Sequence, residues 1–497
     1  MDAELERPRI VFSPLQNIAM PDCDCACAVE GASPPVPQDA DLWIAEEPVY
    51  AADLISSEPW RLHYTPHGRA PIVLLNASAD RLWRAFSTPA RLADVAQSLQ
   101  DQPIDAVQKA FSRLLEAGML RPADRVGEGP SVASVHTFTA WLHLTDACNL
   151  ACPYCYVPRR ASGMDAETAR RIVARLIRLT VEQGYRRLHL KYAGGEPTLN
   201  FKGLRAAHMY AGRLADEYDL ELTGVVLTNG VAVTEEMLRF LGDAGLRVAV
   251  SLDGGLEAHD RLRAFPDGKS TYRRVTDFVD RALGLDIPVS ISITLTALNL
   301  AGSEEAVRFA LERALPFNLN FYRGWEGRAA AALAPKADAL IATLRRCFAV
   351  MEDYFSSYPR PLTGILDRAR FELYHRYPCS AGRHYVAVDA GGTVAPCQML
   401  LGRPVASLSS PRLLASVREE SPAVMGRPVE SFVTCRACPW RYACGGGCPL
   451  LRGTALHARY CRVYRALYPE LVLLEGRRLA ARVKITCSEK GISQRKT

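Results

Sequence analysis

The sequence predicts an α/β protein. It is built on a mostly parallel sheet, open or closed into a partial six-stranded barrel, with a small strand-and-three-helix unit before it and a cysteine-rich region after it. Three observations carry this. Between residues 136 and 340, strand-like apolar runs alternate with segments of helical periodicity, a rhythm that calls for parallel strands joined by crossover helices. Upstream, two short strand-like runs precede three amphipathic helices. Downstream of residue 379 the rhythm gives way to Cys and Gly, as expected where metal clusters replace a hydrophobic core.

Composition bounds the class. A chain of 497 residues has room for three or four domains at ~100–200 residues each. Its 48% hydrophobic and 23% charged residues exclude collagen-like, coiled-coil and wholly disordered readings. No apolar run reaches the ~18 residues of a membrane helix, so no membrane partner is expected. Residues 1–12 carry no apolar signal core, which favours a cytoplasmic location. A net charge of +6, from 60 basic and 54 acidic residues, is too weak to argue for nucleic acid. Residues 1–40 differ, with seven acids against two Arg, a net −5.

Taken in order, residues 1–40 read as an extension. Its Pro-rich stretch spans 31–37, and Cys23, Cys25 and Cys27 share one side of an extended chain. They are either a metal grip or incidental thiols of a terminal segment. Residues 41–125 read as a small independent domain. It has strands at 61–64 and 72–75 around a turn at Pro66, His67 and Gly68, then helices at 78–86, 92–99 and 104–117. Leu82, Trp83 and Phe86 share one helical face; Val107, Phe111, Leu114 and Leu115 share another, and Gly118 stops it. The order suggests a winged helix-turn-helix. A polar linker spans 122–135. The region 136–340 supplies strands at 139–144, 187–192, 223–227, 247–251, 289–294 and 318–322, with helices at 166–183, 204–218, 235–243, 272–283 and 304–314. Residues 341–480 form the cysteine-rich domain and 481–497 a tail. Cys347, beside Leu344 and Phe348, reads as core and Cys487 as incidental. His143 and His189 alternate with apolar residues and read as satisfied strand histidines.

Fifteen cysteines are the strongest signal. In a long chain without an export signal they argue for metal rather than disulfides. Cys148, Cys152 and Cys155 are spaced C-x3-C-x2-C directly after the first strand of the alternating region, where (β/α) barrels build active sites. A [4Fe–4S] cluster normally takes four thiolates, so three leave one iron open for a substrate. The alternative is a zinc site with a fourth ligand elsewhere, such as His143. Gly194, Gly195, Glu196 and Pro197 follow the second strand. The glycines admit close backbone approach, and the carboxylate suits an ammonium group. Thr228-Asn229-Gly230 ends the third strand and Ser251-Leu252-Asp253-Gly254 the fourth.

These motifs resemble the radical S-adenosylmethionine (SAM) superfamily: Cys148-Asn149-Leu150-Ala151-Cys152-Pro153-Tyr154-Cys155 carries its three cysteines and the aromatic before the third, and Gly194–Pro197 matches its GGEP motif. The resemblance implies a radical SAM partial (β/α)6 TIM-like barrel. Its open iron would chelate SAM, with Tyr154, Gly194, Gly195, Glu196, Pro197, Asn229, Ser251 and Asp253 around the cofactor. Reductive SAM cleavage would then yield a 5′-deoxyadenosyl radical that abstracts hydrogen from substrate. Downstream, Cys379 and Cys397 flank Gly392, and Cys435-x2-Cys438-x5-Cys444-x3-Cys448 leads to Cys461; all seven positions resemble a SPASM domain. That implies two auxiliary [4Fe–4S] clusters: Cys435, Cys438, Cys444 and Cys461 on one, Cys379, Cys397 and Cys448 on the other. The latter's fourth iron is left to His384, a substrate group or solvent. Such clusters would accept the electron lost on bond formation, and an external flavodoxin- or ferredoxin-type donor would supply the first. Sulfatase-maturating relatives carry an Asp after the second cysteine of this array; Gln398 stands here. His259-Asp260-Arg261-Leu262-Arg263 and Asp267-Gly268-Lys269 resemble peptide maturases instead.

Residues 41–120 resemble the leader-recognition element of enzymes that mature ribosomally made peptides, through Leu74–Ala79 and the run from Leu114 to Leu120. A DNA-binding winged helix is the alternative, yet the third helix carries only Lys109 and Arg113 against Asp105 and Glu116. An extended leader pairing with the strand at 72–75 and packing beside the third helix fits better. Tethering by a short flexible linker would raise local substrate concentration into the ~mM range. The expected function is hydrogen abstraction on a ribosomally synthesised precursor peptide, most simply ending in a thioether or carbon–carbon crosslink. Alternatives are a maturase of a whole protein (sulfatase or quinohaemoprotein type), a small-molecule enzyme, or a non-enzymatic metal-dependent regulator. No helix is expected between 251 and 272, nor in the cysteine-rich region after 461.

Overall fold

The computed structural model describes residues 7–12, 42–54, 59–66, 70–124, 136–157, 162–324, 331–371 and 374–493. The Cys23, Cys25 and Cys27 run, the Pro-rich stretch at 31–37, His67 and Gly68 of the turn, and most of the linker at 122–135 lie outside them.

The N-terminal unit comprises β1 (Ile10–Phe12), β2 (Trp43–Ala45), β3 (Tyr50–Leu54), β4 (Trp60–Tyr64), β5 (Ile72–Leu75), α1 (Ala77–Arg84), α2 (Leu92–Ser98), α3 (Ile104–Ala117) and β6 (Leu120–Pro122). The antiparallel sheet runs β1-β5-β4-β3, and β2 pairs with β6. The third helix has the expected bounds, because Gly118 adopts φ 73° and its N–H closes on Leu114 and Leu115. β1, β2, β3 and β6 lie outside the two expected strands; at three to five residues each they are too short to show an alternating pattern.

The central region follows with β7 (Thr137–His143), α4 (Ala166–Glu182), β8 (Arg187–Ala193), α5 (Phe201–Glu217), β9 (Glu221–Thr228), α6 (Glu235–Asp243), β10 (Arg247–Ser251), α7 (Leu256–Arg263), α8 (Tyr272–Leu283), β11 (Val289–Leu295), α9 (Ser303–Glu312), β12 (Phe317–Phe321) and α10 (Ala337–Glu352). The six strands pair in parallel from β7 to β12 in sequence order. Asp165 and Thr234 cap α4 and α6 by accepting the Thr168 and Met237 amides. The α7 helix was missed because its buried face holds His259 and Arg263 beside Ala258 and Leu262, which hides the apolar period.

The C-terminal region holds β13 (Tyr385–Val388), β14 (Thr393–Ala395), β15 (Ala406–Ser407), α11 (Leu413–Glu420), α12 (Val433–Arg436), α13 (Arg441–Cys444) and α14 (Ala455–Ser493). β13 joins β7 in parallel and the β14–β15 hairpin extends it, making one nine-stranded sheet. The expected tail from 481 is instead the end of the 39-residue α14, whose Pro469 reads as a helix breaker in sequence.

The N-terminal sheet is docked, not tethered as an independent domain. One face (Val73, Leu75) packs under α1 and α3, while Leu62, Tyr64, Ile72 and Leu74 join the main core with Leu467, Tyr468 and Leu471 of α14. Tyr64 stacks on Trp440 at 5.2 Å between ring centroids. Gly476 makes room for this contact: a Cβ there would lie 2.3 Å from Leu62 Cδ1.

Candidate functional site

The loop after β7 carries Cys148, Cys152 and Cys155, and the ends of β8, β9 and β10 close around it. Gly194 and Gly195 bring β8's end against the loop's first residues. The Gly195 and Glu196 amides donate to the carbonyls of Thr145 (2.7 Å) and Ala147 (2.8 Å). A Cβ at either glycine would lie 2.4 Å from one of those same carbonyl oxygens. The glycines thus admit neighbouring backbone, not only a ligand as the sequence suggested. Pro197 opens the 3₁₀ turn that follows.

Glu196 is fully buried and ties two strand ends together. Its Oε1 accepts from the Thr198 hydroxyl and amide and from the Thr228 hydroxyl, and its Oε2 accepts the Asn229 amide at 2.7 Å. Burial raises its pKa, and those donors oppose the rise. Asn229 reaches the cysteine loop, donating to Asn149 Oδ1 at 2.8 Å and lying 3.9 Å from Cys148 Sγ.

Asp253 is wholly buried. Its Oδ1 accepts the Thr294 amide at 2.7 Å, while its Oδ2 accepts from the Tyr154 hydroxyl and from Arg263 Nε, the latter at 2.6 Å. The structure therefore uses this carboxylate to anchor the aromatic of the cysteine loop. Ser251 stands at the end of β10, half-buried. Arg263, the last residue of the His259–Arg263 run, has no individual role that the sequence predicts. It is buried, sits over the Tyr154 ring at 5.4 Å, and its charge opposes the upward shift that burial imposes on Cys148 and on Cys152, whose thiol is pushed up to about 12. No spacing rule marks it; only the formation of α7 turns it inward.

The seven downstream thiols fall into two groups. Cys397, pushed up to about 12 by burial, feels Cys379 and Cys448. Cys444, also at about 12 through burial, feels Cys461 and Cys435, and Cys461 feels Cys438 and Cys435. His384 does not join the first group in these interactions: burial, Arg383 and Arg418 hold it down to about 4. Among the described residues no three His, Cys, Asp or Glu side chains close on a single ion. His189 pairs with Thr223 at 2.8 Å, as expected of a satisfied strand histidine; His143 pairs with Asp146 at 2.7 Å through Nε2, but its buried Nδ1 has no hydrogen-bond partner. Cys347 is buried core.

Between the loop and the first downstream group opens a cleft of about 130 Å³, lined by Tyr154 and Tyr156 on one side and by Cys379, Cys397 and Cys448 on the other. Gln398 also lines it, and its Oε1 accepts the Tyr385 hydroxyl at 2.7 Å. Arg323 lines it as well, paired at 2.6 Å with the buried Asp367. Cys148 feels the charge of Cys155, and Cys152 feels both; three soft thiols in one loop beside a buried cation are, in their chemistry, a donor set that fits an iron–sulfur cluster.

The family model described as the Radical SAM superfamily matches residues 142–310. An uncharacterized protein of Archaeoglobus fulgidus is 26% identical over 347 residues, covering 66% of this chain and 79% of the relative. A PqqA peptide cyclase of Xanthomonas euvesicatoria pv. vesicatoria is 28% identical over 326 residues, covering 62% and 79%. The solved structure of native anSMEcpe with bound AdoMet and Kp18Cys peptide superposes with a TM-score of 0.56 at 17% identity, covering 69% of this chain and 99% of that one, a likeness of fold. Residues 142–310 thus match a radical SAM domain, and the strand-end geometry around the cysteine loop agrees with that match; the chain is an enzyme that uses a [4Fe–4S] cluster and SAM.

Proposed function

We propose that the chain modifies a ribosomally made precursor peptide by hydrogen abstraction, with residues 136–340 as a partial (β/α)6 barrel, 341–480 as a SPASM domain and 41–125 as a leader-recognition domain of winged-helix type. The observation that carries this is the cleft, walled by the aromatic of the first cysteine loop and by a second thiol group. A PqqA peptide cyclase among the relatives supports a peptide substrate.

In this reading Cys148, Cys152 and Cys155 hold the SAM-binding cluster. Cys379, Cys397 and Cys448 hold an auxiliary cluster at the cleft wall, and Cys435, Cys438, Cys444 and Cys461 hold another; the two electrostatic groupings support that division. When bound, the first cluster and SAM supply a hydrogen-abstracting radical. The chain's own residues orient and shelter it. Glu196 fixes the ends of β8 and β9 and keeps Oε2 near the site, Asn229 holds the loop through Asn149, and Asp253 with Arg263 fixes Tyr154. Tyr156, Met399 and Met425 give the cleft apolar walls that exclude water from a reactive intermediate. Gln398, held by Tyr385, supplies no proton acceptor of carboxylate type, which separates this cleft from the sulfatase-maturase pattern.

A cytoplasmic setting, which keeps the thiols reduced, and an external flavodoxin- or ferredoxin-type donor belong to the proposal. The test is anaerobic incubation of the reconstituted chain with SAM, reductant and short peptides encoded beside its gene. Loss of hydrogen mass from one of them supports the reading; SAM cleavage with every such peptide unchanged contradicts it.

A further inference from the structure

The edge that the leader reading assigns to a substrate is already taken by the chain itself. β1 lies antiparallel on β5, with Ile10 opposite Leu75, Val11 opposite Leu74 and Phe12 opposite Val73. It is the outermost strand of its sheet, and all three of its residues are only half-buried. Asn76, which caps α1 by accepting the Ala79 amide at 3.0 Å, also clasps the incoming segment. Its side chain accepts the Arg9 amide and donates to the Arg7 carbonyl, both at 2.8 Å, and its own amide donates to the Arg9 carbonyl at 3.1 Å.

Side chains add a reading pattern to this backbone pairing. Ile10 and Phe12 point to the core under α1 and α3, and Val11 to the opposite face. The Arg113 guanidinium of α3 lies 4.3 Å over the Phe12 ring, and that of Arg9 lies 5.3 Å over Trp60. The groove beside α3 thus holds an aliphatic residue and an aromatic one at alternate positions, Ile10 and Phe12, while Arg9 and Val11 lie on the opposite face. Thirty residues separate Phe12 from Trp43, so the strand is joined to the rest of its sheet only through a long connection.

We propose that β1 is an internal occupant of the leader groove, which a precursor leader carrying a similar basic–aliphatic–x–aromatic run must displace. This rests on the leader reading given under the proposed function. A strand held by few backbone bonds and half-buried side chains is exchangeable, while one anchored at its start by Asn76 returns readily; the groove is then closed to peptides that lack the pattern.

The probe is a fluorescent synthetic peptide with the sequence of residues 5–14, and the protein is the full chain, reconstituted with iron and sulfide. The alternation begun by the Asn76–Arg9 pair makes Val11–Leu74 the next hydrogen-bonded pair, so Val11→Pro removes a ladder donor from β1 alone. Val11→Pro is expected to bind the probe at least tenfold more tightly than the wild type, and Phe12→Ala in the chain to shift binding the same way by a smaller factor. A probe carrying Ala in place of the phenylalanine is expected to lose at least tenfold. Equal binding by wild type and both variants overturns the proposal, as does indifference to the phenylalanine. Intact-mass measurement after incubation with SAM and reductant separates one further outcome: an unchanged chain supports a competitor, whereas loss of hydrogen from the chain itself would make β1 a leader acting in cis and overturn it. Neither binding arm requires turnover, so a failed exchange is distinguishable from failed peptide chemistry.

Discussion

Replacing Arg263 with Met tests how the cysteine loop is held. The guanidinium is buried against an entirely buried Asp253, at 2.6 Å from Nε to Oδ2. Removing one partner of a buried pair costs ~3–5 kcal/mol, because the remaining charge is left uncompensated. Asp253 keeps the Thr294 amide and the Tyr154 hydroxyl, so the lower end of that range applies. A loss of ~3 kcal/mol corresponds to a roughly 100-fold rise in local opening, at 1.36 kcal/mol per decade. Native-state hydrogen exchange read by mass spectrometry on peptides covering 148–155 and 292–296 should show that rise. The double variant Asp253→Asn/Arg263→Met removes both charges and should exchange more slowly than Arg263→Met alone. Unchanged exchange in the single variant, or a double variant at the product of the two single effects, would refute the claim that this pair anchors Tyr154.

Further expectations follow from particular contacts. Glu196→Gln keeps Oε1 for Thr198 and Thr228 but sets an amide N–H2 against the Asn229 amide; it should destabilise the site by on the order of 2 kcal/mol and weaken SAM binding measured by calorimetry. Gly476→Leu would overpack against Leu62 and Leu54, costing ~1–3 kcal/mol; exchange in β4 should rise while deoxyadenosine formation without peptide stays unchanged. His259 accepts the Asp253 amide at Nδ1 and donates from Nε2 to Thr271, whose own hydroxyl proton goes to the Arg263 carbonyl, so the fold needs the neutral ring. Burial holds its pKa down to about 4. Its folded value lies below the unfolded one, so its contribution is full above pH ~6.5 and is lost as pH falls from there toward 4. Relative to wild type, His259→Gln should flatten the decline in melting temperature over that window.

The sheet and most of the site were legible because their signals are local. Apolar runs of fixed period found the six strands β7–β12 within a few residues, and C-x3-C-x2-C with the strand-end motifs found the loop and its neighbours. What escaped depends on tertiary neighbours. Arg263 looks like a solvent-facing charge until α7 turns it onto Asp253. Asp253 reads as a cofactor contact, yet its oxygens are committed to Tyr154, Arg263 and Thr294. The docking of the N-terminal sheet hinges on Gly476, a residue that sequence logic treats as a helix weakness rather than as space for Leu62. β1 is too short to announce itself, and only its pairing with β5 shows that residues 10–12 of the N-terminal extension belong to the sheet.

The central claim is that three thiols after β7 hold a cluster with one iron left for SAM. Its most direct test is 5′-deoxyadenosine formation by the anaerobically reconstituted chain with SAM and a strong reductant, compared with Cys155→Ala. The account predicts steady production by the wild type, about twelve irons per chain from three [4Fe–4S] clusters, and about four fewer irons with no product from the variant. Deoxyadenosine formation that survives in Cys155→Ala, or its absence from fully metallated wild type, would contradict it.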